Sequence, residues 1–297
     1  MNNNLDSYFT KRISYVLPTK NRAVPFLENI LNISKEIVKS DDELIIIDGM
    51  SNDNTNQVIN QFMDIIDVYI SEPDMSIFHA YNKGILLSNG RYIKFIHDDD
   101  IYYSKAMDDS VIVMDNNIDI DILICGGTKE RNGITKNMYI PPGVEFCNTV
   151  EDLYNFTTSV QGALIRHESL TKIGLFDSTL KVAGDSEFMA RAIHMGATVK
   201  FCRINSYHHP VYDHSTTIAH EELFNKTSAK IKKMYIRERR IDKSYMERIG
   251  QKIVENIPKN IKYLIKCFYS PTIDEKTLKV HNIEEKKEPI WDGGISD

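Results

Sequence analysis

Residues 71–100, SEPDMSIFHAYNKGILLSNGRYIKFIHDDD, decide the fold of this chain. The stretch has the pattern of an acidic loop, a helix over 77–87 that ends at Asn89-Gly90, and an apolar strand over 92–96. The strand leads directly into three consecutive aspartates, Asp98, Asp99 and Asp100. Adjacent carboxylates repel one another, so a cation among them would stabilise the cluster. Hard divalent cations prefer such oxygen ligands, which predicts a metal–diphosphate site. A solvated acidic turn is the alternative interpretation.

Length and composition are those of a folded globular protein. The 297 residues, 42% hydrophobic and 26% charged, suffice for one large domain or for a catalytic domain with an appendage. Because the net charge is −6, we expect no nucleic-acid partner. Four widely spaced cysteines without a CxxC pair predict neither a zinc site nor a disulfide framework. The polar N-terminus and the lack of a long apolar run predict a cytoplasmic protein, with attachment to the inner face of the cell membrane as the alternative.

Short apolar runs alternate with helical patterns through the first half of the chain. Strands are predicted at 13–17, 43–47, 68–70, 92–96 and 120–125, and helices at 24–38, 54–64, 77–87 and 104–114 with Ser104 as N-cap. This alternation predicts an α/β fold with a mostly parallel sheet flanked by helices. Ligands of such sheets bind beyond the carboxyl ends of the strands. Three polar clusters fall there, at 19–22, 48–55 and 97–100.

The second half is less regular. Gly126-Gly127 predicts a turn, and residues 128–160, with Pro141-Pro142-Gly143, predict a loop-rich insertion. A strand is expected at 161–166, a helix at 185–194 and a histidine-rich loop at 206–217. Two long helices are expected within 220–269, and residues 281–297 have the composition of a disordered tail.

The predicted C-terminal helices are strongly basic. Residues 226–266 contain 13 lysines or arginines against four aspartates or glutamates. Lysines opposite an apolar stripe suit contact between residues 226–269 and an anionic membrane surface. The same pattern suits a helix packed on the body or on a second subunit, so a homo-oligomer stays among the alternatives.

Four motifs resemble those of the family 2 glycosyltransferases, an inverting group with the GT-A fold that builds bacterial polysaccharides. VLPTKNR (16–22) matches a strand followed by T-x-N-R, and IIIDGMSNDNT (45–55) matches I-D-x-x-S-x-D-x-T. SEPDMSIFHAYNKGI (71–85) is close to S-E-P-D-x-G-I-x-D-A-x-N-K-G-I, and IKFIHDDDIYY (93–103) overlays the F-L-x-x-D-D metal motif. The resemblance covers about residues 12–200 in order.

This resemblance implies a Rossmann-like GT-A fold with a mixed, mostly parallel sheet and a C-terminal helical extension. The catalytic domain would span 1–217, with a nucleotide-sugar half over about 12–125 and an acceptor half over about 126–217. A basic helical extension would follow over 218–280.

The matching positions also imply roles for single residues. Thr19, Arg22 and Asp74 would lie near the nucleotide, Asp48 would contact its uracil or ribose, and Lys83 would reach a phosphate as a point charge. Asp99 aligns best with the direct metal ligand. Asp100 would support the metal and Asp98 the ribose or a bound water. His97 replaces an aspartate common in relatives, so its role is open. Solvent exposure without a binding role is the alternative for Arg22 and Lys83. For Asp53 the two alternatives are capping of the following helix and contact with the ligand.

The base that an inverting transfer needs has its own motif. GLFDSTLKVAGDSEFMARA (174–192) resembles G-x-F-D followed by D-x-x-F-x-x-R, and Asp185 matches the catalytic base. A carboxylate there would deprotonate the acceptor hydroxyl. Helix capping is the alternative role for Asp185, and Glu187 is the alternative base. Gln161-Gly162 would lie on the acceptor side, and His208, His209 and His214 are candidates for a last metal ligand.

Together these residues predict a metal-dependent inverting glycosyltransferase that uses Mn²⁺ or Mg²⁺. The donor would be a nucleotide-sugar, with a UDP-sugar favoured, and the transferred group a hexose or N-acetylhexosamine. The acceptor would be a hydroxyl of a saccharide or lipid-linked intermediate of surface polysaccharide biosynthesis. One alternative is a non-catalytic binding subunit with the same fold. A sugar-phosphate nucleotidyltransferase is disfavoured because PTKNRAVPF (18–26) lacks a Gly-rich phosphate loop.

Overall fold

The computed structural model describes residues 9–22, 26–131, 133–138, 145–155, 160–211 and 220–236. Within them, one nine-stranded mixed sheet is flanked by helices. Its strands are β1 (Lys11–Thr19), β2 (Glu43–Asp48), β3 (Val68–Ser71), β4 (Gly90–Phe95), β5 (Ile101–Tyr102), β6 (Ile122–Arg131), β7 (Ile134–Met138), β8 (Ala163–Arg166) and β9 (Val199–Pro210). The helices are α1 (Phe26–Ile37), α2 (Thr55–Ile59), α3 (Ile77–Leu87), α4 (Ser104–Asp115), α5 (Val150–Asn155), α6 (Leu170–Ile173), α7 (Gly184–His194) and α8 (Glu221–Tyr235).

The first four strands form the parallel part of the sheet, in the order β3-β2-β1-β4. The register pairs Thr19 with Asp48 and Asp48 with Ser71, so the polar residues at three strand ends lie side by side. This arrangement confirms the predicted α/β architecture and brings the polar clusters to one edge of the sheet. β8 then joins β4 and β6 in antiparallel orientation, and β6 pairs with β9 in parallel.

Apolar residues of the central strands are buried on both faces of the sheet. Val16 and Phe95 pack with α3 and α7 on one face, whereas Tyr15 and Leu17 pack with α1 and α4 on the other. Burial on both faces explains why these strands read as continuous apolar runs.

Two predictions about the second half were wrong. Gly126-Gly127 is not a turn but part of β6, where the pairing with β9 shifts register twice. A Cβ at Gly127 would lie 2.4 Å from a ring carbon of Tyr207, so glycine here permits close approach of two strands. The histidine-rich stretch expected to be a loop begins instead as the end of β9.

Other differences are smaller. The predicted insertion over 128–160 contains the end of β6, then β7 and α5. Helix α4 begins at Ser104, with Tyr103 rather than Ser104 at the N-cap. Parts of the insertion and loop predictions, at 139–144, 156–159 and 212–219 with His214, lie outside the described residues, as does the tail predicted over 281–297.

Helix α8, at the start of the predicted basic extension, packs on the body. Ile231 is buried in the core beside α7, and the Tyr235 hydroxyl donates to Glu187 Oε1 at 2.7 Å. The rest of the predicted helices falls beyond the described residues. Among the described residues, every helix is too short or too polar to cross a membrane.

Candidate active site

A cavity of about 510 Å³ opens beyond the carboxyl ends of β1 and β4. Its walls come from both halves of the chain: the ends of these strands, the loop before α3, the turn before β8, the first turn of α7, and one residue of α8. Eight of the residues singled out as site candidates from the sequence line it: Thr19, Arg22, Asp74, Asp98, Asp99, Gln161, Asp185 and His209. Asp48, Lys83 and Asp100 are not among its lining residues.

The loops that follow β1 and β2 are bonded to each other at the rim of this cavity. Asn21, with a positive φ of 53°, accepts from the backbone of Asn52 at 2.9 Å, and its own N–H donates to Ser51 Oγ at 2.7 Å. The N–H of Arg22 donates to Thr55 Oγ1 at 3.1 Å. The chain therefore leaves β1 in a fixed direction, which carries the Arg22 guanidinium over the acidic triplet.

Asp48 lies beneath the cavity and is fully buried. Its carboxylate accepts from the backbone and hydroxyl of Ser51 and from Ser71 Oγ at 2.5 Å. In this arrangement Asp48 joins the ends of β2 and β3 and holds the loop after β2. Asp53 accepts from the backbone N–H of Thr55 at 3.0 Å, just before α2, whose N-cap residue is Asn54.

Asp74 faces the cavity, and Lys83 stands behind it. Lys83 Nζ lies 2.7 Å from Asp74 Oδ1 and 2.9 Å from Glu72, and donates to the carbonyl of Pro73 at 3.0 Å. The lysine thus fastens the acidic loop to α3 and neutralises one carboxylate, so it supports the cavity wall rather than lining it.

The first two carboxylates of the triplet face the cavity. Thr19 Oγ1 donates to Asp98 at 3.3 Å, and the Arg22 guanidinium lies 3.6 Å from Asp98 and 3.8 Å from Asp99. Burial raises the pKa of Asp98 to about 6, although the charge of Arg22 opposes the shift. A metal ion or a basic group of a ligand would stabilise these crowded carboxylates, which have few cations beside them.

The third carboxylate is enclosed by two histidines. Asp100 is fully buried; His209 Nδ1 lies 2.5 Å from its Oδ1, and Tyr102 donates to its Oδ2 at 3.0 Å. Burial opposes its ionisation, but the bonds from His209 and His97 outweigh this and lower the pKa of Asp100. Burial alone would lower the pKa of His97, yet its bond to Asp100 and the nearby carboxylates raise it.

One group among the described residues has the geometry to hold a metal ion. Ligand atoms of His97, Asp99 and Asp100 all lie within 4.8 Å of one another. Carboxylate oxygens with one imidazole nitrogen suit Mn²⁺, and the oxygens suit Mg²⁺. The donor set therefore fits the predicted cofactor. Of the three candidate histidines, His209 touches this group, while His208 instead bonds Thr128 Oγ1 at 2.8 Å.

Asp185 sits in the first turn of α7 and lines the cavity. Ala183, at the N-cap position, has a positive φ of 58°, which turns the chain sharply into the helix. Burial raises the pKa of the Asp185 carboxyl, while backbone N–H groups, including that of Ser186, oppose the shift. A carboxylate with a raised pKa is a stronger base than a solvated one, as proton abstraction requires.

Glu187, the alternative base, is used in a structural network. Its two oxygens accept from Arg191 at 2.9 and 3.0 Å, and one also accepts from Tyr235. Arg191 additionally donates to the carbonyls of Ile173 and Leu175. This network holds Glu187 in place, and Glu187 is not among the residues that line the cavity.

A polar clamp joins α3 to the loop that leads to Asp185. The Asn82 side chain donates to the carbonyl of Phe176 at 2.8 Å and accepts from its N–H at 2.9 Å. Ser76 Oγ donates to the carbonyl of Ser178 at 2.8 Å, and Lys181 donates to that of Met75. The loop before α3 and the loop that leads into α7, where Asp185 lies, are therefore held in fixed relation.

Sequence reasoning missed several cavity residues because their neighbours come from distant parts of the chain. Tyr81 shares a hydrogen bond with His97 Nε2, and Lys181 lines the cavity. Lys94 of β4 is buried and is not among the lining residues, and its one sequence signal is a charge within an apolar strand.

Comparison with known proteins agrees with this geometry. A family model described as "Glycosyl transferase family 2" matches residues 14–174. An uncharacterized glycosyltransferase of Rickettsia prowazekii is 23% identical over 71% of this chain and 64% of its own length. The poly(ribitol-phosphate) beta-N-acetylglucosaminyltransferase TarP of Staphylococcus aureus is 26% identical over 50% of this chain and 47% of its own. The chain thus spans less than two thirds of either relative.

Solved structures show the same fold. S. aureus TarS 1-349 in complex with UDP-GlcNAc matches with a TM-score of 0.54 and 17% identity, over 68% of this chain and 59% of that one. The mannosyltransferase PcManGT of Pyrobaculum calidifontis, in complex with GDP-Man and Mn²⁺, matches with a TM-score of 0.53 and 16% identity, over 70% and 59%. These likenesses confirm the predicted GT-A fold. With a family match that spans more than half of its length, the chain belongs to glycosyl transferase family 2.

Proposed function

We propose that this protein is a metal-dependent inverting glycosyltransferase that uses a nucleotide-sugar donor. One observation carries the proposal: Asp98 and Asp99 at the end of β4, and Asp185 at the start of α7, line the same cavity. The first two carboxylates suit a metal–diphosphate group, and the third suits a base on the acceptor side.

The donor would lie along the strand ends. Thr19, Arg22 and Asp74 line that side, and Asp48 keeps the adjoining loop in place. Asp99, with His97 and Asp100, would hold Mn²⁺ or Mg²⁺. A bound divalent cation supplies positive charge that favours departure of the diphosphate.

Asp185 would act as the general base. The acceptor hydroxyl oxygen attacks the anomeric carbon, and its proton passes to the Asp185 carboxylate. The bond from the anomeric carbon to the diphosphate oxygen breaks, and its electron pair leaves with the nucleoside diphosphate. Attack from the face opposite the leaving group inverts the anomeric configuration.

The donor class is inferred from relatives together with the site. TarS is known in complex with UDP-GlcNAc and with UDP, and TarP is named as a beta-N-acetylglucosaminyltransferase. We therefore favour a UDP-linked hexose or N-acetylhexosamine, with a GDP-sugar as the alternative because PcManGT binds GDP-Man.

The acceptor would be a hydroxyl of a saccharide or lipid-linked intermediate in surface polysaccharide synthesis, on the cytoplasmic side of the membrane. Exposed lysines on α8, including Lys226, Lys230 and Lys233, lie opposite buried Ile231. These lysines support electrostatic attraction to an anionic membrane surface, while the apolar side of α8 packs on the body.

Calorimetric titration of UDP, with and without Mn²⁺, tests the donor site. We expect binding that depends on the metal, followed by release of UDP from UDP-GlcNAc on turnover. Parallel titration with GDP controls for the base. Absence of binding by either nucleotide would refute the proposal, whereas binding without turnover of any nucleotide-sugar would favour the non-catalytic binding subunit.

A further inference from the structure

Lys94 is a buried charged group that the proposed chemistry does not use. It lies in β4, three residues before His97, with 2% of its surface exposed. Its Nζ donates to the carbonyl oxygens of Gln161 and Ala163, the latter at 3.3 Å. Among the described residues, no carboxylate lies within 4.0 Å of this ammonium group.

Burying this ammonium group costs stability. Burial lowers the pKa of Lys94 to about 8, although the nearby Cys125 and Asp100 favour its charged form. Two carbonyl oxygens and the Tyr102 ring, whose centroid is 5.6 Å away, replace only part of the lost hydration. A methionine would fill the same space without this cost, so the charge is not needed for packing.

The two carbonyls belong to a turn that forms part of the cavity wall. Residues Val160–Gly162 make a single 3₁₀ turn that leads into β8. A Cβ at Gly162 would lie 2.4 Å from the carbonyl oxygen of Cys125, so the turn rests directly on β6. Gln161 lines the cavity together with Ala183, Asp185 and Phe224. Lys94 therefore holds the backbone of a residue that lines the same cavity as Asp185.

We propose that Lys94 is a positioning residue that fixes the Val160–Gly162 turn and thereby sets Gln161 on the acceptor side of the cavity. The assignment of this side of the cavity to the acceptor rests on the proposed function, whereas the bonds from Lys94 to the turn are independent of it. Lys94 acts from below through backbone carbonyls, and Gln161 is the group that meets the incoming hydroxyl.

The first test separates positioning from packing. In Lys94→Met, we expect hydrogen–deuterium exchange of the amides at 160–163 to accelerate at least tenfold, while the Tm stays equal to that of the wild type or rises because a buried charge is removed. Lys105→Met, at an exposed lysine of α4, is the matched control and should change neither quantity. Unchanged exchange in Lys94→Met would overturn the proposal, whether or not the protein is a glycosyltransferase.

The second test uses turnover, with UDP-GlcNAc and Mn²⁺ as the probe and water in place of the acceptor. We expect Lys94→Met and Gln161→Ala each to lower kcat for UDP release about tenfold, with KM for UDP-GlcNAc within twofold of wild type. The double variant should lose no more than either single variant, because both disturb one contact. Multiplicative losses, or a rise in KM alone, would contradict the proposal. An inactive wild type would count against the proposed function and leave the exchange result to decide the role of Lys94.

Discussion

Two features of the surroundings of Asp185 shift the pKa of its carboxyl in opposite directions. The first turn of a helix stabilises an ionised carboxylate through exposed N–H groups, and Ser186 N donates to it at 2.9 Å. Burial has the larger effect and raises the pKa of the group. The carboxylate is therefore more basic than one in water. This balance suits a group that takes a proton in one step and returns it in the next.

Replacing Asp185 with asparagine keeps its shape and removes the base. We expect Asp185→Asn to lower kcat by about 10²–10⁴, the usual contribution of general base catalysis. UDP affinity with Mn²⁺ should stay within twofold, since the donor-side residues are untouched. Asp177→Asn, at an exposed carboxylate in the loop before α7, is the control and should be nearly as active as wild type. A parallel loss of UDP binding and turnover in Asp185→Asn would argue against a base at this position.

The pH dependence follows from the same carboxyl. A base works only when ionised, so kcat should fall as the pH decreases through the pKa of Asp185. Because burial raises that pKa, the fall should begin above the ordinary aspartate value of 3.8. Rates measured between pH 4.5 and 8.5 with saturating Mn²⁺ would show this acidic limb, and the residual activity of Asp185→Asn should lack it. Equal acidic limbs in both proteins would assign the titration to another group.

At the scale of the elements, the strands of the parallel half were predictable because burial on both faces leaves only apolar residues in them. Ile45, Ile46 and Ile47 of β2 show this directly, since all three are fully buried. The end of β9 was missed because Tyr207, His208 and His209 carry ring and imidazole groups that make tertiary contacts absent from any local pattern. Glycines in β6 were read as a turn, although they permit close strand approach.

Some residues of the candidate site could likewise be predicted from the sequence, and others could not. Asp99 and Asp185 were identifiable because short motifs at strand and helix ends place them, and both line the cavity. The contacts of Asp48 and Lys83 were not predictable from the local sequence. Asp48 accepts from Ser71 of a neighbouring strand, and Lys83 pairs with Asp74 in the loop before its helix. Whether a charged side chain lines the cavity depends on whether neighbouring groups already pair with it.

The clamp between α3 and the Asp185 loop yields a prediction about coupling between elements. Asn82→Leu removes both bonds to Phe176 and leaves a buried N–H and C=O without partners. Each unpaired group lowers the free energy of unfolding by about 1–3 kcal/mol. We expect a Tm about 5–10 °C lower, and a kcat that falls more than UDP affinity because Asp185 is displaced. Chemical and thermal denaturation, together with UDP-release kinetics, would measure these changes.

Asn117→Leu is the matched control for this variant. Asn117, just after α4, donates from its side chain to the carbonyl of Val113 in that helix, so this side-chain bond joins it only to α4. Its loss should lower the Tm by only a few degrees and leave kcat unchanged. If Asn82→Leu were as mild as this control, the clamp would not determine the position of the base.

At the scale of the whole molecule, negative charge is concentrated where the two halves of the chain meet. The net charge is −6, and Asp74, Asp98, Asp99 and Asp185 line one cavity. Arg22, Lys20 and Lys181 also line it, but Lys181 already donates to a carbonyl. The folded protein therefore holds carboxylates together at a cost, and a cation bound among them should stabilise the fold as a whole.

Metal binding should therefore raise thermal stability before any nucleotide is added. A ligand at 100 times its Kd stabilises the native state by about 2.7 kcal/mol, which corresponds to several degrees in Tm. We expect Mn²⁺ to produce such a shift at pH 7.5, and Asp99→Ala to abolish it while raising the Tm of the metal-free protein, because one of the crowded charges is removed. Asp119→Ala removes an equal charge at an exposed position before β6 and should keep the full Mn²⁺ response. Identical Mn²⁺ shifts in all three proteins would place the cation elsewhere, and the acidic triplet would then act on the donor through hydrogen bonds alone.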